Sequence, residues 1–142
     1  MSDKSLQVTQ QQYETLASFR YALRRFLRFS EEAAHAIGLT PQQHQALLAI
    51  KGYPEGHPVS VGDLAERLQI QHHSAVGLVD RLVAEDLVGR QPGRSDKRQV
   101  EISLTTRGEE LLGSLASAHQ EQLHQVGPEL IELLQRLMKP RG

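Results

Sequence analysis

A mainly α fold with one small β-hairpin is predicted for this chain of 142 residues by three observations. Apolar residues recur at three- and four-residue spacing over most of the sequence, as in Leu16, Phe19, Leu23, Phe26 and Leu27, and again in Val61, Leu64, Ala65 and Leu68. One stretch changes period: Val100, Ile102 and Leu104 alternate with Gln99, Glu101 and Ser103, the pattern of a half-buried strand. Pro92-Gly93 separates that strand from Leu87-Val88-Gly89-Arg90-Gln91 and excludes a regular strand between Gln91 and Arg94, so the chain must turn there. The length is that of a single domain, 1–142, able to bury a core without disulfides or metal.

The first helix runs from about Gln12 to Ile37 and ends at Gly38. Thr40 as N-cap and Pro41 in the first helical position start a second, with Leu47, Leu48 and Ile50 on its apolar side. Gly52-Tyr53-Pro54-Glu55-Gly56-His57-Pro58 is a loop by composition. Ser60 and Asp63 then form a capping box, and Val59 and Leu64 a hydrophobic staple, at the start of a third helix. After Gln69-Ile70-Gln71 a fourth helix extends from about His72 to Glu85, with Ala75, Leu78, Val79 and Leu82 turned inward. The hairpin follows, then a helix from about Thr106 to Val126. Gly127-Pro128 is expected to break it, leaving a separate last helix with Leu130, Ile131, Leu133, Leu134, Leu137 and Met138. That arc is too wide for a lone helix, and a second copy of the chain is the economical partner.

Two helices joined by a three-residue turn and followed by a hairpin have the order of a winged helix-turn-helix, here over 40–104. Ala65 stands where the first helix of the pair must let the second approach closely. Leu64, Leu68, Ile70, Ala75 and Leu78 bury the corner, and Gln69 occupies the turn position where glycine is common. His72, His73, Ser74, Val76, Gly77, Asp80 and Arg81 are left on the outer side, available to a major groove.

Charge agrees in pattern rather than in sum. Sixteen Lys and Arg balance 17 Asp and Glu, yet the hairpin tip holds Arg94, Lys97 and Arg98 against Asp96 alone. Such a tip suits a phosphate backbone or a narrow minor groove, with Asp96 aiming Arg98. The plainer alternative is a solvated turn ordered by a surface ion pair worth roughly 0–1 kcal/mol. His72 and His73 fit base or phosphate contacts at a helix N-terminus; a solvated polar helix start also fits them. Metal fits less well, because adjacent helix positions diverge by about 100° and neither a Cys nor an i+4 His supports a site. Arg20, Arg24 and Arg28 form a stripe with Arg25 beside it, read either as a wall attracting an anionic ligand or as an exposed basic face.

No nucleophile motif, phosphate loop or His-Glu-x-x-His spacing points to an enzyme. The absence of cysteine removes disulfides and thiol-based redox sensing. No apolar run has the length of a membrane span or a signal peptide, so a cytoplasmic protein is expected, with neither metal nor cofactor.

The chain resembles the MarR (multiple antibiotic resistance regulator) family of bacterial transcription factors. The resemblance lies in Val79-Asp80-Arg81-Leu82, Leu87-Val88 with Arg90, Asp96-Lys97-Arg98, and Leu104-Thr105-Thr106-Arg107-Gly108, at the family's own spacing. Asp86 stands where the family usually has glycine, and Val76 and Gly77 replace a common Thr and Arg. The resemblance implies a homodimer built from helices at both termini, 12–37 and 106–140, with one DNA-binding lobe per subunit. It further implies a pseudo-palindromic operator, repression, and release by a small organic effector, for which the arginine stripe favours an anionic aromatic. The implied DNA contacts are His72, His73, Ser74, Val76, Gly77, Arg81, Arg94, Asp96, Lys97 and Arg98. The alternative function is a winged-helix module that binds protein and no DNA.

Overall fold

The computed structural model of the chain describes residues 7–93 and 98–139. Its elements are α1 (Gln10–Ala36), α2 (Pro41–Lys51), α3 (Val61–Leu68), α4 (His72–Ala84), β1 (Val88–Pro92), β2 (Val100–Leu104) and α5 (Thr106–Met138). Reciprocal capping boxes open three of the helices. Thr40 Oγ1 accepts from the Gln43 amide while Gln43 Oε1 accepts from the Thr40 amide, and Ser60 and Asp63 exchange the same pair of bonds at α3. Thr9 and Gln12 do so at α1, so that helix starts two residues before the position expected from its apolar period. Each box satisfies two amides that a helix start leaves without partners. At the other end of α1, Gly38 takes φ +83°, and the Leu39 amide donates back to the Ala34 carbonyl at 2.9 Å.

By internal packing the described residues divide into two compact units, one within Ala33–Ala116 and one formed by the described parts of Met1–Glu32 and Ser117–Gly142. The first unit is built on Leu47, Leu64, Leu78, Val79, Leu82 and Leu87, each less than 2% exposed. Burial of each such leucine is worth roughly 1.5–3 kcal/mol. Ala65 is buried between α3 and its neighbours as expected. β1 and β2 pair antiparallel, with Val88 opposite Leu104, Arg90 opposite Ile102 and Pro92 opposite Val100. Ile102 is the buried residue of β2, and its amide also donates to the Val59 carbonyl at 2.8 Å, tying the hairpin to the residue before the α3 cap. Val100 was expected on the inner face but is 44% exposed, because its position opposite Pro92 lies beyond the edge of the core. Pro92 ends β1 rather than standing outside it; an edge strand tolerates a residue with no amide hydrogen at its end.

The second unit buries Ala22 and Leu133 and places Ser30 Oγ in a 2.8 Å hydrogen bond with His119 Nε2. The imidazole also makes edge contacts with Phe26 and Phe29, at centroid distances of 5.9 and 5.6 Å. The expected break at Gly127-Pro128 does not occur, since α5 continues through it to Met138. A proline restrains its predecessor through clashes of its ring with that residue's backbone N–H and Cβ. Gly127 has no Cβ, so one of the two clashes is absent before Pro128, and the helix bears the other together with the missing amide bond.

Candidate nucleic-acid interface

The two faces of α4 are chemically distinct. Ala75, Leu78, Val79 and Leu82 are buried, whereas His72, His73, Ser74, Val76, Asp80 and Arg81 are exposed and Gly77 is half-buried. The turn that sets this orientation closes at Gln69, which adopts the left-handed conformation (φ 55°, ψ 47°). A non-glycine residue there costs about 1 kcal/mol. The Gln69 side chain offsets part of that by donating to the Glu66 carbonyl at 2.7 Å and to its carboxylate at 3.2 Å. At the start of α4 the N-cap Gln71 makes no side-chain capping bond, so its side chain does not occupy the leading amides of the helix.

The far end of α4 is held by residues from three other places. Gln43 Nε2 donates to Glu85 Oε2 at 2.5 Å, Arg107 donates to the Glu85 carbonyl, and Thr105 Oγ1 donates to the Asp86 carbonyl at 2.7 Å. Asp86 itself has φ +58°, the left-handed conformation that suits a glycine best. Together these fix where α4 stops and where β1 begins.

Two residues link the helix to the wing. The Arg90 guanidinium on β1 donates to Asp80 on α4, so the carboxylate expected to face outward alone is neutralised from the hairpin. Arg98 is exposed at the base of the wing tip, and it lines one cleft with His72, Ser60, Asp63, Val100 and Glu101. The start of the outward helix and the cationic base of the wing thus border the same recess. Arg94, Asp96 and Lys97 lie outside the described residues, and with them the expected Asp96–Arg98 pair.

Arg20, Arg24 and Arg28 are all exposed on α1. Arg28 Nε donates to Glu32 on the same helix at 3.1 Å, and the Arg25 guanidinium lies 5.5 Å from the Tyr21 ring centroid. Among the described residues no group of three or more His, Cys, Asp or Glu could hold a metal ion, and no helix is long and apolar enough to cross a membrane. The Arg90–Asp80 and Gln43–Glu85 links were not found by sequence reasoning. Arg90 and Arg107 appeared there as motif positions, but a motif gives spacing along the chain and not the partner across it.

Residues 37–99, from the end of α1 to the wing, match the family model described as MarR family. Over these residues, and in its curated relatives and solved neighbours, the chain is similar to the MarR family. It is 32% identical over 84 residues to the transcriptional activatory protein BadR of Rhodopseudomonas palustris, covering 59% of this chain and 48% of BadR. It is 28% identical over 78 residues to the HTH-type transcriptional repressor MdtR of Bacillus subtilis, covering 55% of this chain and 48% of MdtR. The chain therefore spans about half the length of the curated relatives it matches. A MepR variant of Staphylococcus aureus, solved bound to an oligodeoxyribonucleotide, superposes with a TM-score of 0.67 at 21% identity, covering 93% of this chain and all of that one. That likeness shows the winged-helix fold. Both curated relatives are transcription regulators by name, and what this chain shares with the solved structures is the winged-helix fold.

Proposed function

We propose that this MarR-family regulator binds double-stranded DNA as a homodimer, with α4 in the major groove and the wing against the adjacent minor groove. The observation that carries the reading is the shared recess of His72 and Arg98 beside the exposed face of α4. A phosphate strand lying there meets the leading amides of α4, where the helix dipole favours negative charge, and the wing cation. His72, His73, Ser74, Val76, Gly77 and Arg81 then address base edges or flanking phosphates, and Arg94, Lys97 and Arg98 with Asp96 serve the wing. The oligodeoxyribonucleotide-bound MepR variant, which shares the fold, supports DNA as the partner.

The dimer is supported by the exposed apolar side chains of the terminal-helix unit. Tyr13, Leu16, Tyr21, Leu27, Leu123, Ile131, Leu134 and Met138 are each more than 40% exposed, and apolar surface gathered on one unit is what a second copy can cover. A dimer presents two copies of α4 to a pseudo-palindromic site. We read the protein as a repressor released by a small organic ligand, an anionic aromatic drawn by Arg20, Arg24 and Arg28.

The test is a gel-shift titration of the protein against duplex DNA enriched from a random library, at several salt concentrations. Enrichment of an inverted repeat, with affinity falling steeply as salt rises, is the expected result. Recovery of no sequence and no salt-dependent shift would leave a protein-binding winged helix in its place.

A further inference from the structure

We infer that Val76 and Gly77 form a methyl-reading step: Gly77 lets the α4 backbone come close to the floor of the major groove, and Val76 packs on the C5-methyl group of a thymine. The inference rests on the DNA-binding reading above and adds the base chemistry it selects.

Gly77 sits inside α4, where a glycine weakens a helix relative to alanine. Among the described residues nothing asks for it. Its φ is not positive, and a Cβ built on it meets no atom within 4 Å. The contrast with Gly108 is direct, since there the same Cβ would fall 2.2 Å from the Leu87 carbonyl oxygen. A mid-helix glycine with no internal reason, on the outward side of the helix, marks the approach of something from outside.

The neighbouring side chains say what that surface can read. Val76 and Gly77 lie three and four residues after His73 and four and three before Asp80, so these residues form a stripe on one side of the helix. Asp80 is engaged by Arg90. Within α4 there is no Asn or Gln, and the one arginine, Arg81, lies a full turn beyond Gly77. The bidentate pairings that select adenine and guanine therefore have no donor at the middle of the stripe. What projects there is the isopropyl group of Val76, an aliphatic side chain 38% exposed among polar neighbours. In the major groove the apolar feature of a base pair is the thymine methyl, and an aliphatic side chain meets it favourably. Val76 as a β-branched residue is held to one rotamer on a helix, which gives the contact a fixed direction.

The experiment starts from the duplex enriched by the wild-type protein from a random library. Each thymine of the half-site is replaced in turn by deoxyuridine, which removes the methyl and leaves the pairing edge intact. One position is expected to lose about four-fold in affinity for the wild type, the effect of one buried methyl-sized group. Val76→Ala should bind that duplex more weakly and show no difference between thymine and deoxyuridine there, while all other positions behave as in the wild type. Gly77→Ala should raise the melting temperature of the protein yet lower its affinity for the same duplex. An enriched duplex indifferent to every deoxyuridine substitution overturns the methyl contact while leaving DNA binding in place. Undiminished affinity of the stabilised Gly77→Ala protein overturns the close approach. A library that yields no bound sequence removes the DNA-binding reading and this inference together.

Discussion

Arg98 and Arg90 carry the same charge and do different work. Arg98 reaches the recess at the start of α4, whereas Arg90 is spent on Asp80 within the lobe. Arg98→Ala should weaken duplex binding by roughly 1–3 kcal/mol with the melting temperature unchanged, measured by gel shift and calorimetry on the same preparation. Arg90→Ala removes an ion pair whose side chains are 39% and 59% exposed, so its direct cost to stability stays within about 1 kcal/mol. Its effect on DNA is larger in kind, because the bare Asp80 carboxylate would then face the phosphates. Adding Asp80→Asn to Arg90→Ala should restore much of the lost affinity; a double variant no better than the single one would show that Arg90 acts through the shape of the wing instead. The sequence made the outward face of α4 legible through the burial period of Ala75, Leu78, Val79 and Leu82. It placed Asp80 on that face without its partner, because a pair ten residues apart across a helix and a strand leaves no local periodic signal.

Between elements, the junction from α4 to α5 is the most constrained part of the lobe. Gly108 brings the first turn of α5 against the Leu87 carbonyl, and Thr105 Oγ1 both accepts from the Gly108 amide at 3.0 Å and donates to the Asp86 carbonyl. A methyl at Gly108 has backbone in its way, which no rotamer change relieves. Gly108→Ala should therefore destabilise the protein by about 2 kcal/mol or more in urea unfolding, well beyond an ordinary surface substitution. Asp86→Gly should act in the opposite sense. It relieves a non-glycine residue at φ +58° and keeps the backbone carbonyl that Thr105 uses, for a gain of about 0.5–1 kcal/mol. Thr105-Thr106-Arg107-Gly108 could be read in the sequence as a helix start, and the capping boxes at Thr40 and Ser60 were equally legible, since each is a short-range chemical signature. Gly127-Pro128 misled for the same reason. The dipeptide is a strong local breaker signal, yet the missing Cβ of Gly127 removes one of the contacts that make proline's predecessor leave a helix.

At the scale of the whole molecule, the homodimer we propose makes a prediction about distance as well as about mass. The terminal-helix unit buries Ala22 and Leu133 but leaves Ile131 58% and Leu134 42% exposed. Two such side chains at three-residue spacing on α5 form a continuous apolar strip. Introducing charge there, as Ile131→Glu with Leu134→Glu, should dissociate the dimer in sedimentation velocity and leave the lobe core intact, since none of that core comes from these positions. A dissociated protein holds a single α4 to the duplex and loses the joint binding of two half-sites, so its affinity should fall by orders of magnitude rather than by a few-fold. The intact dimer, in turn, should depend on the phase of its site. Half-sites one helical turn apart, about 10 base pairs, lie on one face of the duplex. Inserting five base pairs turns the second half-site to the opposite face and should reduce wild-type affinity to nearly that of the dissociated variant, while the variant itself is insensitive to the insertion. Insensitivity of both proteins to the insertion would mean that the two half-sites are contacted independently, and the apolar strip would then serve some association other than operator binding.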